Sequence, residues 1–250
     1  MSNSGPEPGN PAEPAKRFMT TRWSVLLAVR DGDADLAREA LSLLCEIYWY
    51  PVYAFIRRKG HDEDAALDLV QGFFARLLEK NDLASVDPQR GKFRSFLMAA
   101  CSHYLANQRD FARAVRRGRG RAPISIDRLK TEGRYDREPA HGLTAEKLFE
   151  RQWALTLLDR VLARLEAEMQ EAGKGERFRV LRSLLLGESD RGTYAQVAAA
   201  LNLSEEAARA AAHRLRGRYR ELLREEVART IGDADDVDAE IRSLSLALGG

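Results

Sequence analysis

Segment 193–216 constrains the fold more than any other part of this 250-residue chain, because it carries the boundary signals of two consecutive helices. Thr193 followed three positions later by Gln196 has the spacing of a capping box, which predicts a helix that begins directly after the threonine. Asn202 tolerates the left-handed backbone that a tight turn needs, and Ser204 can cap the helix that follows. The segment therefore predicts two helices joined by a short turn.

The second of these helices has two faces of different character. Its inward face carries small or apolar side chains at helical spacing, namely Ala208, Ala211, Leu215, Tyr219 and Leu222. Another face carries basic side chains at the same spacing, namely Arg209, His213, Arg216 and Arg220. A helix with small residues beneath it and cations on its free side is suited to the major groove of DNA. The simpler alternative is that the basic strip is only a solvated face.

The composition is that of a globular protein, with 44% hydrophobic and 31% charged residues. A net charge of +2 conceals local segregation, since six arginines lie within 109–121 and five acids lie within 233–240. Such a concentration of basic residues predicts a polyanionic partner. No apolar run approaches the roughly 20 residues that span a bilayer, so no membrane partner is expected.

Helical periodicity and its interruptions predict five units along the chain. Residues 1–17 are rich in proline, glycine and asparagine and are expected to be a disordered tail. Residues 18–117 form a first helical domain, 118–142 a linker, 143–231 a second helical domain and 232–250 an acidic tail. The predicted fold class is all-α, with two small helical domains joined by a flexible linker and the second ending in a helix-turn-helix.

Single residues predict several boundaries within these units. Pro51 is expected to restart or kink the helix that begins near residue 34, and Gly60 is expected to end it. Asp62 can cap the next helix, and Thr144 gives half of a cap signal for a long helix that Gly173 breaks.

Two groups of polar side chains in the first domain are candidate contact sites. The polar face of the helix after Asp62 carries Asp68, Gln71 and Arg76, for which a solvated face is the simpler interpretation. The helix from Phe93 mixes basic and amide side chains with aromatic ones, which suits a strand of nucleic acid. Its aromatic residues, Phe93, Phe96 and Tyr104, share one face and are therefore expected in the core.

Sequence patterns of enzymes and metal sites are absent. The chain contains no glycine-rich phosphate loop, nucleophile elbow or zinc-helix motif, and no pair of carboxylates stands out. Cys45 and Cys101 lie in apolar helical patterns without metal-ligand spacing, which favours buried reduced thiols and a cytoplasmic protein. We therefore expect no enzymatic activity, no cofactor and no metal.

Three segments, taken in order, resemble bacterial sigma factors of the extracytoplasmic-function type, within the sigma-70 superfamily. The family segment DAEDLVQETFLR is similar to DAALDLVQGFFARL at Asp64 to Leu77, and FRSWLFTIARN is similar to FRSFLMAACSH at Phe93 to His103. The family segment YAEIAEALGLSEGAVKSRLHRARKRL is similar to Tyr194 to Tyr219. The matches are collinear and span roughly residues 35 to 225.

The resemblance implies a factor that binds core RNA polymerase and directs promoter recognition and transcription initiation. The residues implied in binding the clamp helices of the largest polymerase subunit are Asp68, Gln71 and Arg76. Those implied in capturing and melting the −10 element are Arg94, His103, Asn107, Arg109 and Arg113. Those implied in contacting the double-stranded −35 element are Arg209, His213, Arg214 and Arg216. The second domain would also touch the polymerase flap, and an anti-sigma factor is a further partner that the resemblance allows.

Two alternatives to this function remain open at the level of sequence. A conventional helix-turn-helix regulator would bind its operator without polymerase, and a helical adaptor would have no affinity for DNA. The acidic and apolar tail after Gly232 also has two interpretations. It could fold back over a basic DNA-binding surface and hold the free factor inactive, or it could cap the second domain.

Overall fold

A computed structural model describes residues 34–79, 92–114, 134–135, 142–186, 193–230 and 237–249 of the chain. Within these ranges the protein is all-helical, as predicted, with eight helices and no strand. The helices are α1 (Ala34–Arg58), α2 (Glu63–Glu79), α3 (Phe93–Ala114), α4 (Ala145–Glu171), α5 (Gly175–Leu186), α6 (Tyr194–Leu201), α7 (Glu205–Ala228) and α8 (Val237–Gly249). The predicted N-terminal tail, most of the linker and much of the arginine-rich segment lie outside the described residues.

Local hydrogen bonds confirm the predicted boundaries of α6 and α7. The Thr193 side chain accepts a bond from the backbone N–H of Gln196, whose side chain accepts one from the backbone N–H of Thr193. Asn202 has a φ of 51°, which is the left-handed conformation expected of the turn. Ser204 Oγ accepts a bond of 3.1 Å from the N–H of Ala207. Because these bonds join residues three positions apart, sequence alone could predict them.

Other boundaries are confirmed in the same way. Asp62 Oδ1 accepts a bond of 2.8 Å from the N–H of Ala65, and Thr144 Oγ1 accepts one of 3.2 Å from Lys147. Gly60 and Gly173 follow α1 and α4 with φ values of 94° and 68°, which only glycine adopts without strain.

Helix α1 runs without a break through Pro51, so the helix does not restart at this residue, and the alternative of a kink stays a prediction. Proline inside a helix removes one hydrogen bond and costs about 3 kcal/mol. The surrounding side chains offset that cost, since Tyr48, Tyr53 and Phe55 are almost fully buried. Burial of one such side chain contributes about 1.5–3 kcal/mol, so the packing of α1 outweighs its broken hydrogen bond.

The buried apolar residues form two clusters. The first is built from α1, α2, α3 and the part of α4 up to Leu157, and it includes Val227, Val237 and Leu244. The second is built from the part of α4 that begins at Val161, together with α5, α6 and α7. The division between the clusters therefore falls within α4 and not in the predicted linker, while the arrangement as two functional domains stays a prediction.

Helix α4 holds the two clusters together because it is buried on more than one side. Leu148, Phe149 and Trp153 are fully buried on α4 within the first cluster. Val161 and Leu165 are buried on the same helix within the second cluster. A helix with apolar residues around most of its circumference requires neighbours on several sides, which α1, α7 and α8 supply.

The two cysteines are free, and Cys101 is buried as predicted, whereas Cys45 is half-buried. Burial raises the pKa of the Cys45 thiol to about 11 and that of the Cys101 thiol to about 12. Both groups are therefore protonated at neutral pH and poor nucleophiles.

Candidate nucleic-acid interface

The outer face of α7 presents the most accessible of the predicted DNA contacts. Arg209 is 60% exposed, and its guanidinium donates a hydrogen bond of 2.5 Å to Glu205 Oε1. The same guanidinium lies 4.9 Å from the centre of the Tyr194 ring. The hydrogen bond from Arg209 to Glu205 raises the pKa of the arginine above its ordinary value. Arg209 is therefore charged and held over the junction of α6 and α7.

His213 and Arg214 are also exposed on this helix. Arg214 lies at the edge of a cavity of about 380 Å³ between α4, α5 and α7, which Lys174, Arg177 and Arg218 also line. Sequence reasoning did not select Lys174 or Arg177, because neither belongs to the strip on α7. The tertiary structure brings Lys174 and Arg177 next to the basic face of α7. The cationic surface therefore extends beyond α7.

Arg216 occupies a different position from the other predicted −35 contacts. Its guanidinium donates hydrogen bonds of 3.1 Å to Tyr194 Oη and 2.8 Å to the Leu184 carbonyl oxygen. The side chain is half-buried and ties α7 to α5 and α6. In this conformation Arg216 positions the basic face and does not extend from it.

Small residues and one ion-pair group fix α7 against its neighbours. Ala208, Ala211 and Ala212 are buried at the contact, so the backbones of the packed helices approach closely. Arg218 donates two hydrogen bonds of 2.9 Å to the carboxylate of Glu168 on α4. These bonds hold the pKa of the Glu168 carboxyl below its ordinary value of 4.5.

The predicted polymerase contacts lie on α2 in two environments. Asp68 is exposed, whereas Gln71 and Arg76 are half-buried. The Arg76 guanidinium lies 5.9 Å from the centre of the Tyr104 ring on α3. Asp68 and Gln71 thus form an accessible polar patch, and Arg76 faces the groove between α2 and α3.

An open cavity of about 570 Å³ lies between α2 and α3. It brings Arg76 together with His103 and Asn107, two of the predicted −10 contacts, above the aromatic side chains of Phe73 and Tyr104. A cavity of this size lies in the range of small-molecule sites and accommodates a nucleobase. Its lining combines a cation, an imidazole and an amide with aromatic surface.

Close packing of α2 on α3 depends on Gly72. The similar family segment has a glutamate at this position. A Cβ atom added at Gly72 would overlap the hydroxyl group of Tyr104. Sequence reasoning did not assign a structural role to this glycine. Because glycine has no side chain, the Tyr104 ring can pack against α2 beside Phe73, beneath the cavity.

Arg94, the first predicted −10 contact, is buried and enclosed by other side chains. Only 4% of the residue is exposed. Its guanidinium donates hydrogen bonds of 2.5 Å to Glu150 Oε2 and 3.0 Å to Ser243 Oγ, and it forms an ion pair with Glu240. It also lies 4.2 Å from the centre of the Trp153 ring. In the described conformation Arg94 is therefore not accessible to DNA.

Glu150, Trp153, Glu240 and Ser243 were not selected from the sequence. The acidic segment near the C-terminus gave one signal for Glu240, but no pattern indicated its partner. The side chains of Arg109 and Arg113, the remaining predicted −10 contacts, lie outside the described part of the structure.

Comparisons of the chain with protein-family models, with curated proteins and with solved structures found no match. Among the described helices, none is long and apolar enough to cross a membrane. In the same residues no group of three or more histidine, cysteine, aspartate or glutamate side chains could hold a metal ion.

Proposed function

We propose that the protein is a sigma factor, which binds core RNA polymerase and directs it to promoters. The observation that carries the proposal is the exposed basic face of α7, where Arg209, His213 and Arg214 lie outside a layer of small buried residues. This is the arrangement in which a recognition helix can enter the major groove. The collinear resemblance of three segments to the sigma-70 superfamily supports the same conclusion.

The second domain contacts the −35 element through this face. Arg209 is the principal candidate for direct base recognition, and the cations beside Arg214 contact neighbouring phosphates. Each phosphate that such a cation neutralises contributes about −0.9 to the slope of log affinity against log salt concentration. Arg216 maintains the position of α7 through its bonds to α5 and α6.

The first domain contacts both the polymerase and the −10 element. Asp68 and Gln71 form the polymerase patch on α2, where Asp68 is exposed and Gln71 is half-buried. The cavity between α2 and α3 is a suitable place for a base that has left the duplex, since His103 and Asn107 can bind its polar edge.

The direct test is transcription in vitro with core RNA polymerase and a library of promoter fragments. We expect the full chain to confer start-site selection that polymerase alone lacks. Absence of sequence-dependent starts with a folded protein would contradict the proposal.

The assignment of the polymerase patch has its own test. Asp68→Ala combined with Gln71→Ala should weaken binding to core polymerase by about tenfold or more, because a charged and a polar contact are lost together. The affinity is measured in a titration with fluorescent core enzyme. The matched control is Gln170→Ala with Glu171→Ala, which likewise removes one carboxylate and one amide, from the exposed end of α4. Equal affinities of the two double variants would reject this patch.

A second candidate function is a regulator that binds duplex DNA without polymerase. The exposure of Arg209, His213 and Arg214 in the free chain favours it, because these side chains need no partner to become accessible. Tight, sequence-specific mobility shifts by the protein alone, without start-site selection by polymerase, would support this alternative.

A further inference from the structure

Helix α8 contacts the first cluster, although the acidic tail belongs by sequence to the second block. Val237 and Leu244 of α8 are buried with residues of α1, α3 and the first part of α4. Between them Glu240 is 1% exposed. Its carboxylate forms an ion pair of 2.6 Å with Lys92 and another with Arg94. The C-terminal helix therefore covers the beginning of α3.

The charges at this contact are balanced among four side chains. Lys92 and Arg94 supply two positive charges at the start of α3, and Glu150 and Glu240 supply two negative charges from α4 and α8. The Ser243 hydroxyl and the Trp153 ring complete the surroundings of Arg94. Every one of these partners of Arg94 follows the predicted linker in sequence.

Buried ion pairs are an inefficient source of stability, because the loss of hydration offsets most of the attraction between the charges. They are better suited to selecting one arrangement of a chain over another. Here the pairs select the arrangement in which α8, packed on α4 and α7, places Glu240 against the start of α3. A phosphate group can replace the carboxylate of Glu240, since both are anions that pair with the cations of Lys92 and Arg94.

We propose that α8 is an intramolecular latch that keeps the free protein closed, with Glu240 occupying the place of nucleic-acid phosphate on Lys92 and Arg94. This inference rests on the proposed function and adds a way in which that function is regulated. Release of α8 frees the start of α3 for the −10 element.

The test uses Glu240→Gln in the full chain, which removes the charge but keeps the shape of the side chain. The probe is single-stranded poly(dT), whose binding is followed by fluorescence anisotropy over a range of salt concentrations. We expect the variant to bind about tenfold more tightly than the unaltered protein at low salt. Its salt slope should be steeper by about 1.4, because two more cations reach phosphates at about 0.7 each on a single strand.

Hydrogen exchange supplies the structural readout of the same experiment. Amides of α8 and of the first turns of α3 should exchange faster in Glu240→Gln than in the unaltered protein, whereas those of α6 and α7 should not change. Ser243→Ala is a milder variant, which removes one hydrogen bond to Arg94 and should shift all three readouts in the same direction by less. It keeps the test decisive if Glu240→Gln does not fold.

The matched control is Glu176→Gln, which removes an exposed carboxylate whose partner, Arg179, lies on its own helix. Unchanged affinity, salt slope and exchange in both latch variants, alongside normal start-site selection, would overturn the latch and leave the proposed function intact. Failure of every variant and of the unaltered protein to direct polymerase would instead overturn the proposed function.

Discussion

The two basic helices assigned to DNA differ most in what covers them. On α7 the guanidinium of Arg209 is 60% exposed, pairs with Glu205 of its own helix and lies 4.9 Å from the centre of the Tyr194 ring. At the start of α3 the guanidinium of Arg94 is enclosed by side chains of α4 and α8. Positive charge in the sequence therefore does not by itself make a DNA-binding surface. Accessibility depends on where the rest of the chain supplies counter-charges.

The largest effect should come from removing the ring beneath Arg94. Trp153→Ala should lower the free energy of unfolding by about 3–5 kcal/mol, because the side chain is fully buried in the first cluster. It should also speed hydrogen exchange at the start of α3, since Arg94 loses its cover. Urea unfolding and exchange of amides in α3 measure the two effects.

A matched control separates general destabilisation from release of α3. Phe178→Ala removes a fully buried ring from the second cluster and should cost a similar free energy of unfolding. Exchange at the start of α3 should then remain slow under native conditions. If exchange at the start of α3 became equally fast in both variants, the two clusters would open together. The contrast between the covered start of α3 and the open face of α7 would then not hold.

A smaller effect is expected from shortening a side chain on the open surface. Arg209→Ala should weaken binding to a −35 duplex by about 1–3 kcal/mol, the range for one well-made base contact, while affinity for core polymerase stays the same. Transcription from the same promoter should fall in proportion. The binding is measured by fluorescence anisotropy with the free protein.

Arg179→Ala is the control for this variant, because Arg179 is 69% exposed on α5 and pairs within its own helix. It should change duplex affinity by no more than the loss of one nonspecific phosphate contact. If Arg209→Ala bound the duplex as well as this control does, the open face of α7 would not be the recognition surface.

The smallest effect concerns the ion pair that joins α4 to α7. Hydrogen bonds from Arg218 lower the pKa of Glu168 below 4.5, so their stabilisation is complete above that pH and is lost as the pH falls through the lowered pKa. Glu168→Gln should therefore cost up to about 1 kcal/mol at neutral pH, since the pair is partly exposed and screened by solvent. The difference from the unaltered protein should shrink in acid and in concentrated salt.

Urea unfolding at neutral pH and below pH 4.5 checks this expectation. A difference that grows as the solution becomes more acidic would show that the assigned direction of the pKa shift is wrong.

Features that depend on neighbours in sequence were predicted most accurately. The capping box at Thr193, the left-handed Asn202 and the cap at Ser204 each involve residues within a few positions of one another. The burial of Phe93 and Tyr104 followed from helical spacing alone. The restart at Pro51 was predicted wrongly, because local propensity took no account of the aromatic packing around α1.

Features that depend on distant residues could not be predicted. The bond from Arg94 to Glu150 joins positions 56 apart, and the bond from Arg94 to Ser243 joins positions 149 apart. Arg216 is similar, since its bond to the Leu184 carbonyl oxygen joins positions 32 apart. Arg216 belongs to the basic face that helical spacing predicts, whereas Arg94 was a contact implied by the resemblance.

The amino-acid pattern is sufficient to predict that the chain is helical, where most of the helices begin and end, and which residues are apolar enough to be buried. Those properties follow from bonds and side-chain spacing within a few residues. Which cations remain exposed depends on the packing of the helices, because the carboxylates that enclose Arg94 come from helices far along the chain. Arg209 is exposed and Arg94 is enclosed, although the resemblance implies a contact with DNA for both.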